Sequence, residues 1–270
     1  MATTRLNHRA RTFWDDRLRR HWGPEGVGSV WLGRAFNEWR CRVRRRVFRR
    51  LVRRLGLDLA HASVLDVGCG TGVYLGEWLA LGAASIAGLD FSDWALTQLA
   101  RAYPSATFYR TDIGAADCPL PAETFDAISA IDVLIHLVDE AAYETALRNI
   151  HAALKPGGYL IYSDAFFHGP EMQDGDYWKG RSLATVEAAM RATDFEIVSR
   201  VPSSVLMSPP TDTRHRRRNA RIWDIAMSPV GRREWIGHLY GAVLYPIELL
   251  LVSTLRESPA TELLVCRKKG

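Results

Sequence analysis

The hydrophobic positions of the chain change period twice. From residue 63 to 205, short apolar runs alternate with stretches of helical spacing. The runs SVLDVG (63–68), SIAGLDFS (85–92), ATFYRTD (106–112), FDAISAIDVL (125–134), YLIYSDAF (159–166) and FEIVSRVPSSV (195–205) read as strands. Between them TGVYLGEWLALG (71–82), DWALTQLARAY (93–103), EAAYETALRNIHAAL (140–154) and SLATVEAAMRATD (182–194) read as helices, each with one apolar face. Lys155-Pro156-Gly157-Gly158 predicts a turn after the third of these helices. The last segment, ATELLVCRKKG (260–270), reads as a closing strand. Alternating β and α units of this length predict a mostly parallel sheet covered on both faces.

On either side of this alternation the rhythm differs. In residues 40–57 Val43, Val47, Phe48, Leu51, Val52 and Leu55 share one helical face, arginines fill the other, and Gly56 ends the helix. Phe13, Trp14, Trp22, Trp31, Phe36 and Trp39 precede it and predict one or two more helices lying on the body of the protein. Residues 206–258 hold a basic loop and then an apolar stretch, residues 235–255, interrupted by His238, Pro246 and Glu248. Its unbroken apolar run is shorter than the about 20 residues a bilayer span needs. That predicts a buried helix, with interfacial contact as the alternative.

A chain of 270 residues with 47% hydrophobic positions suffices for one substantial core with elaborations. The net charge of +5 is unevenly spread. Nine arginines lie between Arg40 and Arg54, and a second cluster comprises Arg214, Arg216, Arg217, Arg218 and Arg221. Such clusters suit an anionic membrane, a phosphate-bearing substrate or nucleic acid, or form a wet face whose side-chain stems cover apolar surface. Cys41, Cys69, Cys118 and Cys266 follow neither a disulfide nor a zinc spacing, so a reducing compartment and no metal site are expected. The N-terminus lacks the apolar core of a signal peptide, which predicts a cytoplasmic protein, membrane-peripheral if the basic surfaces dock.

The sharpest motif is Asp66-Val67-Gly68-Cys69-Gly70-Thr71-Gly72. A strand delivers the chain to a turn that needs glycine, both for positive φ and for close approach of a ligand. A helix starting at Thr71 then offers unpaired N–H groups. A dinucleotide fingerprint would read GxGxxG/A, and here Val73 stands where the packing glycine would be. The segment resembles motif I of the class I S-adenosylmethionine-dependent methyltransferases. Asp90, Asp112, Phe125-Asp126 and Leu154-Lys155-Pro156-Gly157-Gly158 continue the resemblance in order over roughly residues 60–200.

That resemblance implies a Rossmann-like doubly wound α/β fold, with a seven-stranded sheet whose last strand is antiparallel. It implies S-adenosyl-L-methionine as cofactor and S-adenosyl-L-homocysteine as product. The implied cofactor residues are Asp66, Gly68, Cys69, Gly70, Thr71 and Gly72 in the turn; Asp90, Phe91 and Ser92 after the second strand, with Asp90 on the ribose hydroxyls; Thr111, Asp112 and Ile113 near the adenine; and Ile131 and Asp132 after the fourth strand. His136, at the same rim, is the candidate general base, the alternative being that it only packs beside the cofactor. Asp164 and His168 follow the fifth strand as a candidate pair for a substrate hydroxyl, or as loop hydrogen-bond partners; Tyr162 reads as core.

Residues 1–58 are expected to form a helical lid. Residues 59–270 are expected to form the catalytic domain, with 206–258 as an inserted cap beside the acceptor site. The expected partner is a small-molecule acceptor methylated at oxygen: a specialised metabolite, a sugar or a lipid-linked intermediate. Nitrogen, carbon or sulfur methylation, or an RNA target met by the arginines, is the alternative. The Asn/Asp-Pro-Pro-Tyr motif of enzymes that methylate nucleobase amines is replaced by Ala130-Ile131-Asp132-Val133, which disfavours DNA.

Overall fold

The computed structural model describes residues 12–270. The strands are β1 (Ser63–Val67), β2 (Ser85–Asp90), β3 (Thr107–Arg110), β4 (Phe125–Ala130), β5 (Leu154–Asp164), β6 (Met172–Asp174), β7 (Trp178–Gly180), β8 (Phe195–Ser204) and β9 (Thr261–Lys268). Seven of them form one sheet in the order β3-β2-β1-β4-β5-β9-β8, and β6 and β7 make a separate hairpin. β1 to β5 pair in parallel, whereas β9 inserts antiparallel between β5 and β8. The strand order reverses between β1 and β4, and in doubly wound sheets that switch point opens a crevice at the carboxyl ends of the strands.

The helices are α1 (residues 12–20), α2 (Pro24–Val27), α3 (Gly33–Arg54), α4 (Val73–Leu81), α5 (Asp93–Ala102), α6 (Glu140–Ala153), α7 (Leu183–Ala192), α8 (Arg216–Met227) and α9 (Glu234–Thr254). The period of two in the strands sorts them into layers. Val64, Ile86, Ala127, Ile161 and Val265 face Phe36, Val43, Val47, Phe48 and Leu51 of α3 and Trp78 of α4. Their neighbours Leu65, Ala87, Ile128, Leu160 and Cys266 face Tyr143, Leu147 and Ile150 of α6 and Met190 of α7. Helix α3 is therefore a layer of the core, and the boundary expected at residue 58 does not divide the molecule. The first eleven residues of the expected lid lie outside the described residues.

Three local expectations change. The turn at Lys155–Gly158 is absorbed into β5 as a bulge: α6 passes directly into the strand, and the register shifts opposite Phe125 and Ala127. Gly72, in the left-handed region, caps α4, so the helix begins at Val73 rather than Thr71. Helix α9, expected to be buried, buries only Gly237, Gly241, Glu248 and Val252. The cause is a narrow contact. A Cβ on Gly241 would stand 2.0 Å from Trp39 Cδ1, and one on Gly237 3.3 Å from the Phe36 amide nitrogen. The small residues bring α9 against α3 along one line and leave its outer face uncovered.

Much of the arginine run is held internally. Arg45 and Arg49 both bind the fully buried carboxylate of Glu77. Arg50 donates to Ser253 Oγ (2.8 Å) and to the Val252 carbonyl (3.0 Å). Glu234 accepts the free amides of Arg34 and Ala35 at the start of α3 (3.1 and 2.7 Å), where the helix dipole favours an anion. Glu248 accepts Ser204 Oγ and the amides of Val205, Leu206 and Met207 at 2.7–3.2 Å, which fastens α9 to the end of β8.

Replacing Glu248 by Ala leaves the buried amides of Val205 and Met207 without an acceptor, at about 1–3 kcal/mol each. Urea unfolding should show a loss of roughly 3 kcal/mol at an unchanged m-value, with Glu248→Gln intermediate. A loss within experimental error would mean that Glu248 does not hold α9.

Candidate active site

The glycine turn is shaped for close approach of a ligand. Gly68, Gly70 and Gly72 have φ of 64°, 47° and 80°. A Cβ on Gly68 would meet Val133 at 2.4 Å, and one on Gly72 would meet Leu99 at 2.6 Å. The amides of Gly68 and Cys69 donate to the Leu89 carbonyl (2.6 and 3.1 Å), which pins the turn to β2. Thr71 Oγ1 is buried in the wall with no hydrogen-bond partner, the state of a polar atom that a ligand satisfies.

Two carboxylates organise this turn. Asp90 Oδ2 accepts the Gly70 amide and Oδ1 accepts the Ser92 amide, each at 2.9 Å. Each oxygen keeps a further acceptor site for a ligand hydroxyl. Burial pushes the Asp90 carboxyl upward against those bonds. Asp66 accepts Ser129 Oγ at 2.6 Å, and Ser129 in turn accepts Trp78 Nε1 at 2.9 Å. Burial pushes Asp66 up to about 7; the charge of Asp90 adds to this and the Ser129 bond opposes it. A buried carboxyl poised there favours a cationic ligand, which would stabilise its ionised form.

Asp66, Gly68, Cys69, Gly70, Thr71, Asp90, Phe91, Thr111, Asp112, Ile113, Ile131, Asp132 and His136 all line one cleft of about 1410 Å³, open mouth included. Gly72 and Ser92 do not. Gly72 turns away toward Leu99 and Tyr103 and acts by its backbone. Ser92 Oγ caps α5 by accepting the Ala95 amide (3.2 Å) and donates to Asp15 (2.5 Å), so both act on the cleft only through its shape.

The N-terminal helices supply the opposite wall, which sequence reasoning missed in part: Leu18, Val27, Arg40, Cys41 and Arg44, beside Trp14 and Asn37. The spacing of Asn37, Arg40 and Arg44 at i, i+3 and i+7 is the available signal, hidden among the seven other arginines between residues 40 and 54. No residue of 206–258 lines the cleft, so the expected cap stands behind this wall. Arg40 ties the wall to this segment by donating to Ser208 Oγ at 3.0 Å.

Asp132 has φ of 60° and accepts hydrogen bonds from both terminal guanidinium nitrogens of Arg44 (2.5 and 2.7 Å) and from Ser163 Oγ (2.7 Å). Burial alone would raise its carboxyl, but Arg44, Ser163 and Arg40 bring it to about 2. Arg40 bonds the neutral Asn37, Ser29 and Ser208 side chains, its Nε is unpartnered, and no carboxylate among the described residues pairs with it. Among the described residues Arg40 is thus held directly by neutral side chains alone, with the charges of Asp132 and Glu248 acting on it from a distance.

His136 ends a 3-10 turn after β4. Its Nδ1 lies 2.6 Å from the Tyr177 carbonyl, on the connection between β6 and β7. A carbonyl only accepts, which assigns the proton to Nδ1 and leaves the Nε2 lone pair free. Trp14 packs edge-on against the ring at 4.9 Å. Burial lowers the imidazole pKa, opposed by the Tyr177 carbonyl and Asp132.

Other candidates separate from the site. Asp164 is buried beneath it, accepts the Ala165 amide (2.6 Å), and is pushed by burial up to about 7. His168 pairs instead with Asp212 (2.6 Å) and Glu257 (3.5 Å). Neither lines the cleft, and Tyr162 is fully buried core. Arg216 lies over the Phe167 ring at 4.2 Å and reaches the Pro170 carbonyl, outside the cleft.

Comparison with known proteins agrees with this geometry. Residues 64–158 match the family described as methyltransferase domain. The chain is 33% identical over 122 residues to the O-methyltransferase cnsE of Penicillium expansum, covering 43% of each chain. It is 31% identical over 154 residues to the tRNA U34 carboxymethyltransferase of Nautilia profundicola, covering 55% of this chain and 47% of that one. The chain therefore spans less than half the length of the curated relatives it matches. Among solved structures, the Burkholderia thailandensis 1,6-didemethyltoxoflavin-N1-methyltransferase superposes with a TM-score of 0.53 at 20% identity, over 90% of this chain and 82% of that one, and shows the shared fold.

With Asp66 titrating near 7, S-adenosylmethionine affinity should rise about tenfold between pH 6 and pH 8 as the carboxyl ionises toward the cationic ligand. Calorimetric titration across that range checks it. Asp66→Asn should flatten the profile, and a flat wild-type profile would remove Asp66 from the binding site.

Proposed function

We propose that this chain is a class I S-adenosylmethionine-dependent methyltransferase that methylates an oxygen atom of a small-molecule acceptor with His136 as general base. The observation that carries the reading is the contact of His136 Nδ1 with the Tyr177 carbonyl, which leaves Nε2 as the basic nitrogen of a residue that lines the same cleft as the glycine turn.

The residues present fit the cofactor. The glycines and the unpartnered Thr71 hydroxyl form a cradle, and Asp90 has lone pairs left for ribose hydroxyls. Asp66 matches an ammonium group, and Arg40 matches a carboxylate, the cofactor's or the acceptor's. When bound, the cofactor supplies an activated electrophilic methyl group, and the reaction is an in-line displacement. The protein's part is alignment, exclusion of water and removal of one proton. Trp14 and Leu18 of α1, Val27, and Asn37, Arg40 and Arg44 of α3 close the wall facing the sheet rim. Asp132 is a poor base, because Arg44 holds it ionised and occupied. His136 is neutral at pH 7 and able to take the acceptor proton on Nε2, while Nδ1–H stays on the Tyr177 carbonyl.

The similarity to cnsE supports oxygen as the atom methylated. An RNA acceptor has the support of the similarity to the tRNA U34 carboxymethyltransferase. Against it, Arg44, Arg45, Arg49 and Arg50 of the arginine run already hold partners within the chain.

Incubation with methyl-labelled S-adenosylmethionine and cell extract should place label in the small-molecule fraction; label in RNA alone would overturn the reading. With the acceptor in hand, His136→Gln should lower kcat about 10²–10⁴-fold while cofactor affinity changes little. Wild-type kcat/KM should be level at neutral and higher pH and fall only in the acid range, below the ordinary imidazole range, as the imidazole gains its proton. An unchanged kcat in the variant would leave His136 a packing residue.

A further inference from the structure

Helix α9 carries a continuous apolar stripe that nothing among the described residues covers. Trp235, Leu239, Val243, Ile247 and Leu250 fall within about one third of the helical circumference, and they are 67, 53, 57, 44 and 62% exposed. No charged residue follows Glu234 on the helix except Glu248, which points the other way into its buried amide nest. From Trp235 to Leu250 the stripe runs for roughly 22 Å along the 21-residue helix. Solitary exposed apolar residues need no explanation, but a contiguous strip of this size does.

The charge beside the stripe is predominantly positive. Helix α3 runs parallel to α9: Phe36 meets Gly237, Trp39 meets Gly241, and Arg50 reaches Val252 and Ser253. Arg42, Arg46, Arg50 and Arg53 share one face of α3 and follow the stripe along its flank, with Arg42 lying over Trp39 at 4.3 Å. Arg232 and Arg233 stand at the start of α9. Helix α8 joins exposed Ile222 and Ile225 to exposed Arg217, Arg218 and Arg221, with Asp224 as the acid among them.

We infer that the outer face of α9, rimmed by the arginines of α3 and by Arg232 and Arg233, docks on the surface of an anionic lipid bilayer. An apolar helical face with a cationic border lies in the interface plane, its apolar residues among the acyl-chain ends and its arginines at the headgroups. A second copy of the chain is the weaker occupant, because face-to-face contact would bring like-charged arginine rows together. The helix lies on the bilayer and does not cross it: Glu248 fastens its middle to β8, and Glu234 fastens its start to α3. Exposed tryptophans at the start of α9 and at Trp31, whose carbonyl abuts Gly231, suit the interfacial level.

Flotation of the full chain with vesicles of phosphatidylcholine mixed with phosphatidylglycerol, and of phosphatidylcholine alone, tests the inference. Binding should be at least about tenfold stronger to the anionic vesicles and weaken with added salt. Val243→Glu with Leu250→Glu should reduce it about tenfold or more, as should Arg42→Glu with Arg46→Glu. All four positions are exposed, so the fold should tolerate the changes, and S-adenosylmethionine binding without lipid is the control for intact protein. Absence of vesicle binding by wild type would overturn the inference. So would a concentration-dependent dimer, seen by analytical ultracentrifugation, that Val243→Glu abolishes while vesicle binding persists.

Discussion

The ion pair between Arg44 and Asp132 joins the two walls of the cleft. One partner is on α3 and the other at the carboxyl end of β4, where the doubly wound sheet reverses direction. Asp132 adopts a positive φ to make this contact, and Ser163 on β5 supplies a third bond. Charges at such a boundary lose solvation that only close, multiply bonded geometry returns, and here every oxygen of Asp132 is engaged. With the pair in place, α3 is a fixed wall. Arg40, one turn earlier, then sits in the cleft, and His136 stands four residues beyond the paired aspartate on the same rim.

The same constraint assigns the acids their separate tasks. Asp132 is neutralised by Arg44 and held far below the usual carboxylate range, so it organises and does not accept protons. Asp66 has only hydroxyl support and is driven toward neutral pH by burial, so it responds to a cationic ligand. Asp90 divides its two oxygens between the turn and the start of α5, so binding at its remaining lone pairs reads directly onto the loop geometry.

The sheet and the motif turn were legible because their signals are local. Glycine spacing, strand alternation and helix stops decided β1 to β5 and α4 to α7 within short windows. What stayed hidden depended on long-range packing. The narrow approach of α9 to α3 comes from Gly237 and Gly241 meeting Phe36 and Trp39, about two hundred residues earlier, and apolar content alone read α9 as core. The roles of Arg40 and Arg44 were masked by seven other arginines in the same segment. Of the two readings open for Asp164 and His168, the structure shows the local hydrogen bonding: Asp164 ends its strand buried on the Ala165 amide, and His168 turns outward to Asp212. Gly72 and Ser92 sit in the right segment, yet they shape the turn and cap α5 without facing the cleft.

The account rests on the glycine turn and Asp90 forming a cofactor cradle. Calorimetric titration of S-adenosylmethionine into the wild-type chain and into Asp90→Ala, with circular dichroism verifying the fold of both, tests this most directly. The account predicts saturable one-site binding by wild type and at least about tenfold weaker binding by the variant, the loss expected when hydrogen bonds to a charged acceptor are removed. Equal affinity in the two proteins, or no binding by a folded wild type, would contradict it.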